Sequence, residues 1–179
     1  MSFLTRKQLK GLGLKSYGEN VQISDKVSIY SPETISIGNN VRIDDFCILS
    51  GKITLGNYIH ISAYSALYGK MGIVMEDFTG LSPRCTVFSA SDDFSGLYLI
   101  SPMVPLEYSN VTGGLVTFKR FSHAGANTVI LPCVTLNEGA VTGALSLVNK
   151  DLQAWGIHVG IPATYLKVRK NDLIKYLPL

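Results

Sequence analysis

Histidine is scarce in this chain: His60, His123 and His158 are the only three among 179 residues. Charge is scarce as well, with 16% charged residues and a net charge of only +3. A weakly basic chain without a basic stripe interleaved with aromatics does not suit a nucleic-acid surface. Hydrophobic content of 46% excludes a disordered one. The Lys/Arg excess lies at the two ends, Arg6, Lys7 and Lys10 against Lys167, Arg169, Lys170 and Lys175, and reads as solubilising charge on terminal helices. Cys47, Cys85 and Cys133 are odd in number and lack metal-type spacing, which fits a reduced compartment. No run approaches the roughly 20 apolar residues of a spanning helix, and Met1 to Lys15 lacks the apolar segment of a secretory signal. The expectation is a cytoplasmic protein with no transmembrane segment and no nucleic-acid partner.

What is abundant is a six-residue step. VQISDK and VSIYSP are followed, after Glu33 and Thr34, by ISIGNN, VRIDDF, CILSGK, ITLGNY, IHISAY and SALYGK. The third positions, Ile37, Ile43, Leu49, Leu55, Ile61 and Leu67, are all aliphatic. The frame resumes as IVMEDF, TGLSPR and CTVFSA, breaks, and returns at Val116 with VTFKRF, SHAGAN, TVILPC, VTLNEG, AVTGAL and SLVNKD. This is the pattern of a hexapeptide β-helix, in which three short strands close one triangular coil. Third-position aliphatics stack inward, and alternation sends second-position residues outward. A β-sandwich would show looser strand spacing and variable turns.

The predicted fold is all-β: a left-handed parallel β-helix over residues 18–161, with a helical cap at 1–17 and a helical tail at 162–179. Residues 88–115 hold no repeat register. A loop that long inside a compact unit is usually functional. If it leaves at a corner without consuming a repeat, His60 and His123 share one face, two coils and roughly 10 Å apart.

The stretches AGANTVILPCVTLNEGAVTGALSLVNKD and GIHVGIPATYLKVR resemble the left-handed β-helix acyltransferases of the hexapeptide-repeat superfamily. SDDFSG, GALSLVNKD and WGIHVGIPA together look like bacterial surface-polysaccharide and sugar acetyltransferases. The resemblance implies a homotrimer, acetyl-CoA in a groove between neighbouring solenoids, and a loop that helps build the acceptor pocket of the adjacent subunit. It implies acetyl transfer to a sugar or nucleotide-sugar acceptor, on oxygen or nitrogen, for surface polysaccharide or lipopolysaccharide. Cys133 stands where the family usually has a corner glycine, and Ser122 and Ala124 where larger aliphatics are commoner. A non-catalytic β-helix scaffold or decayed relative is the competing reading, and a zinc hydratase on the same solenoid would need three convergent histidines; no metal is expected.

Acyl transfer needs a deprotonated nucleophile and a way to hold the tetrahedral oxyanion. The usual base of this superfamily is a histidine, yet the loop VFSASDDFSG carries none. His123, outward from its coil, is the first candidate, with Asp92 and Asp93 as the loop's own. Neighbours on an extended chain point opposite ways, so only one aspartate faces a pocket while the other fixes the turn. His60 on the coil face and Ser91 in the loop are assigned to the acceptor. His158, in the terminal segment, is read as a packing residue. For the donor, Gly125, Ala126, Gly143 and Ala144 are small corner residues that let a backbone amide approach a ligand. Lys150, Lys167 and Arg169 are candidates to pair with its phosphates.

Overall fold

The computed structural model describes residues 2–177, so the extreme ends of the expected cap and tail lie outside the described residues. The hexads wind as a left-handed parallel β-helix. Two of its faces merge into a ten-stranded sheet, because Ile48–Leu55 and Ala66–Met75 run continuously round one corner, and the third face is an eight-stranded sheet. Coils pair in register, for example Val41↔Ile59, Arg42↔His60 and Ile43↔Ile61. The six aliphatics of the third column are all buried.

In many of the hexads the sixth position turns the corner in the left-handed region. Phe46, Tyr58, Tyr64, Phe78, Arg84 and Phe121 have φ between 57 and 63°. A side chain there costs about 1–3 kcal/mol. Stacking along the solenoid axis offsets part of this, at about 0.5–1.5 kcal/mol per aromatic pair. Tyr58 and Phe78 lie 4.8 Å apart at 6°, Phe78 and Phe121 5.3 Å apart, and Phe46 and Tyr64 5.0 Å apart.

The N-terminal helix, Arg6–Gly11, is closed by a capping box between Thr5 and Gln8, and it buries Leu9 over the open end of the core. Coil pairing begins at Ser16, opposite Ser36, slightly earlier than expected. The tail differs more. Instead of a helix from Pro162, Thr164–Val168 forms a strand antiparallel to Gly156–Val159, and the following Asp172–Tyr176 is a 3-10 turn. The last coil leaves a row of unpaired backbone groups, and a segment with Thr164, Tyr165 and Val168 suits an edge strand better than an isolated helix.

The long loop occupies one corner. In the coil before it, Gly69 to Gly72 turns between Ala66–Tyr68 and Ile73–Met75; Thr86–Phe88 pairs with the first and Val116–Phe118 with the second. Residues 89–115 therefore replace a tight turn and consume no repeat. Their stem is an antiparallel ribbon, Ala90–Asp92 against Val111–Gly113, and Gly114 N–H donates to the Ser89 carbonyl at 2.9 Å. Because the loop ends meet, we expect excision of residues 91–112 to leave the far-ultraviolet circular dichroism spectrum and the cooperative melt of the solenoid in place. Loss of the cooperative melt would make the loop part of the folding unit.

Candidate functional site

The eight-stranded face carries the histidines. Its second column runs Arg42, His60, Gly80, His123 and Val141 in register, so His60 and His123 both align with Gly80, one from each side. Two inter-strand steps separate the histidines by about 10 Å. Gly80 is required there: a Cβ at this position would lie 2.9 Å from Cε1 and Nδ1 of the His123 ring.

The fourth column supplies their partners. His123 Nε2 and Ser82 Oγ share a hydrogen bond of 3.1 Å, the tautomer deciding which donates. His60 Nε2 donates to Asp44 Oδ2 at 2.8 Å. Each imidazole reaches the preceding coil. His123 is half-buried, and its pKa is lowered from the ordinary imidazole value, by burial first and then by the positive charges of Arg169 and His60. It is therefore the neutral, proton-accepting form that faces Ser82 near pH 7.

The loop separates its two aspartates. Asp93 is the turn former: Oδ1 accepts from Ser95 N–H at 2.7 Å and Oδ2 from the Asn110 amide at 2.9 Å, and these bonds hold its pKa down. Among the described residues nothing hydrogen-bonds to the Asp92 carboxylate, which with Ser91 lines a cavity of about 670 Å³ bounded by Tyr68, Lys70, Val104 and Leu106. Ser91 Oγ donates to the Asp92 carbonyl at 3.1 Å. Neither His123 nor Ser82 lines that cavity, so one chain does not bring the loop carboxylate and the coil histidine together.

The donor candidates are spread over the last coils. Gly125 and Gly143 are explained by packing, since a Cβ would lie 2.6 Å from Gly143 C and 2.8 Å from Val159 Cγ1, respectively. Ala126 is half-buried, whereas Ala144, Lys150 and Lys167 are exposed. Arg169 is held by the coil itself: its Nη1 donates to the carbonyls of Phe121 at 2.7 Å and Gly139 at 3.0 Å. His158 is buried edge-on to Tyr165, its Nδ1 without a partner among the described residues. No group of three His, Cys, Asp or Glu suited to a metal occurs among the described residues. The Cys47 and Cys85 thiols are pushed up to about 11 by burial and are unreactive.

Ser82, Asp44 and Gly80 were not among the residues expected from sequence. For Ser82 and Asp44 the signal is the fourth position of the hexad one coil before each histidine, VRIDDF for IHISAY and TGLSPR for SHAGAN, and Gly80 is the second position of TGLSPR. The second pair is visible only once the loop is known to sit at a corner.

No family model matches the chain. It is 44% identical over 98% of its length to the dTDP-4-amino-4,6-dideoxy-D-glucose acyltransferase of Escherichia coli, covering 93% of that protein. It is 24% identical, over 90% of this chain and 64% of the relative, to the putative lipopolysaccharide biosynthesis O-acetyl transferase WbbJ of Escherichia coli K12. Among solved structures, AntD, an N-acyltransferase from Bacillus cereus crystallised with dTDP and coenzyme A, superposes with a TM-score of 0.95 at 50% identity, over 97% of this chain and 94% of AntD. A maltose O-acetyltransferase from Clostridium difficile, at 19% identity and a TM-score of 0.59 over 93% of this chain and 75% of that one, shares the fold. With its repeat, its corner loop and these relatives, the chain belongs to the hexapeptide-repeat sugar acyltransferases.

Proposed function

We propose that this protein transfers an acetyl group from acetyl-CoA to the amino group of a nucleotide-linked amino sugar. The observation that carries the reading is the hydrogen bond between Ser82 and a neutral His123 on the coil face. The amine attacks the thioester carbonyl, a C–N bond forms as the C–S bond breaks, and coenzyme A leaves as thiolate. The proton shed by nitrogen passes through the Ser82 hydroxyl to His123 Nε2. An amine is far easier to deprotonate than a sugar hydroxyl, so this demands no exceptional base. The AntD structures lend support: they include variants in which a serine and an aspartate, ten residues apart as Ser82 and Asp92 are here, were replaced, and some hold dTDP-4-amino-4,6-dideoxyglucose and coenzyme A. Asp92 is accordingly assigned to the acceptor amine, with Ser91 beside it.

For the donor, an apolar groove of about 240 Å³ lined by Asn127, Leu145, Leu147 and Ile161 takes the pantetheine arm beside Ala126 and Ala144. Lys150 and Lys167, both exposed, are assigned to its phosphates, and Arg169 contributes charge. AntD was also crystallised with 3-hydroxybutyryl-CoA, which makes acyl length the first donor property to vary. The product serves surface-glycan assembly, a setting that the likeness to WbbJ supports, and a cytoplasmic enzyme is in keeping with the use of acetyl-CoA.

The working unit is a homotrimer. Leu97, Met103 and Leu106 in the loop are 81, 89 and 87% exposed, which calls for a covering surface. Asp92 reaches the His123–Ser82 pair of a neighbour in a closed ring. Light scattering should give the mass of three chains, and Leu106→Asp with Met103→Asp should yield an inactive monomer. A monomeric wild type with full activity would sink the shared site.

His123→Ala should cut turnover by at least about 10² while leaving acetyl-CoA affinity unchanged. A drop of only a few-fold would take proton removal away from His123 and leave it to the departing thiolate.

The protonation state is testable separately. Burial first, and for His123 also the charges of Arg169 and His60, lower the pKa values of His123 and His158. Below the ordinary imidazole value of about 6.5 the unfolded chain therefore binds protons that the native state refuses. Stability is full above that value and is lost as pH falls below it. Melting temperature should be level from pH 7 to 8 and drop below about pH 6.5, and the His123 ring should titrate by NMR below free imidazole. A raised His123 titration would remove its claim to be the neutral base.

A further inference from the structure

Along the edge where the coils turn into the histidine face, each corner N–H donates to a carbonyl of the coil behind. The bonds are short and even from Tyr58 to Asn39 and from Phe78 to Asn57, both 2.9 Å, and again from Gly139 to Arg120 and from Trp155 to Glu138, both 2.8 Å. One step between them is long. Phe121 N–H reaches the Asp77 carbonyl at 3.3 Å. This is the coil that follows the 89–115 loop, and Phe121 leads into the short strand His123–Ala124. Ser82, the partner of His123, stands on the coil behind, so the slack falls between the two members of the pair.

Arg169 holds the same corner from the other side. Its backbone N–H donates to the Trp155 carbonyl at 2.8 Å, and its Nη1 to the carbonyls of Gly139 at 3.0 Å and Phe121 at 2.7 Å. These acceptors are the left-handed corner residues of three successive coils, with φ of 53, 67 and 63°. Arg169 is half-buried, whereas every other residue from Thr164 to Lys170 is exposed. A charged donor shared by two carbonyls makes a stronger tie than the neutral corner bond it supplements.

We propose that Arg169 is a positioning residue for acyl transfer, clamping the Phe121 corner so that the His123 ring is held against Ser82. This rests on the reading above, in which His123 takes the proton. The clamp has an electrostatic side as well. Facing the His123 ring are Ser82 on the coil behind, Val141 on the coil ahead, His60 two coils back and Arg169 from the terminal segment. Of these, the Arg169 charge, after burial, does most to disfavour a protonated ring.

Two variants of the full-length chain, checked by their melts for folding, separate clamp from charge. Arg169→Lys keeps the charge but not the planar fork that meets two carbonyls; Arg169→Met removes both. At pH 8, where the His123 ring is neutral in every form, both should lower kcat by about 10- to 100-fold with KM for the amino sugar little changed. By NMR the His123 titration should rise towards free imidazole in Arg169→Met and stay near the wild type in Arg169→Lys. A role in stability alone would lower the melt and move neither readout. Wild-type kcat in both folded variants, or a wild-type His123 titration in Arg169→Met, would overturn the proposal. If the titration moves as expected and yet His123→Ala keeps full turnover, the link from Arg169 to the ring stands and the reading of His123 as base falls.

Discussion

Residue-by-residue hydrogen bonding between successive coils is the interaction on which the rest of the structure depends. Ser36 pairs with Thr54 and Thr54 with Val74, and on the neighbouring face Arg42 pairs with His60 and His60 with Gly80. A slip of one residue would turn every inward aliphatic outward, because side chains alternate along each strand. Extra residues are tolerated only at corners, where no pairing is lost. The turn at Gly69 to Gly72 and the whole of residues 89–115 occupy one such corner in consecutive coils. That is why a loop of this length can separate Leu81 from Ala124 in sequence and leave them adjacent in the sheet.

The corners carry a cost that the sequence offsets locally. Each left-handed residue is strained, and most of the strained positions on one edge are aromatic, stacked from Tyr58 through Phe78 to Phe121, with Trp155 tilted against Phe121. Arg120 lies over Phe78 and Phe121, and Arg169 over Trp155 at 6.0 Å. Arg169 belongs to this edge more than to solvent, since two corner carbonyls take its Nη1 protons. The same placement puts its charge near His123, where it disfavours a second positive charge. One side chain thus links closure of the last corner to the protonation state of the candidate base.

Much of this architecture was legible in the sequence because the repeat is local. Third-column burial, the outward aim of His60 and His123 and the corner loop follow from counting by sixes, and alternation says only that one of Asp92 and Asp93 faces a pocket, without saying which. The partners of the histidines were not legible in the same way. Ser82 lies one coil before His123 but on the far side of the loop, so pairing them requires the stacking as well as the pattern. The terminal strand was missed because Thr164–Val168 is exposed throughout and shows no buried stripe of either period; what decides it is the unpaired edge of the previous coil. Gly125 reads as a ligand-facing glycine in sequence, but in the coil its lack of a side chain is demanded by the backbone of Gly143.

The loop without a histidine is then less of an anomaly. A base carried on a projecting loop must be ordered before it can act, and the ordering costs entropy at each binding event. His123 stands on a paired strand, packed over Gly80 and bonded to Ser82, so its geometry is set before any ligand arrives. On the proposed assignment the loop is left to present Asp92 to the acceptor. Asp93, pinned by Ser95 and Asn110, holds the ribbon so that its neighbour points into the cavity. On this assignment the rigid coil sets the chemistry and the loop sets which amine is admitted, so acceptor preference can change through the loop without disturbing the columns that carry the reaction.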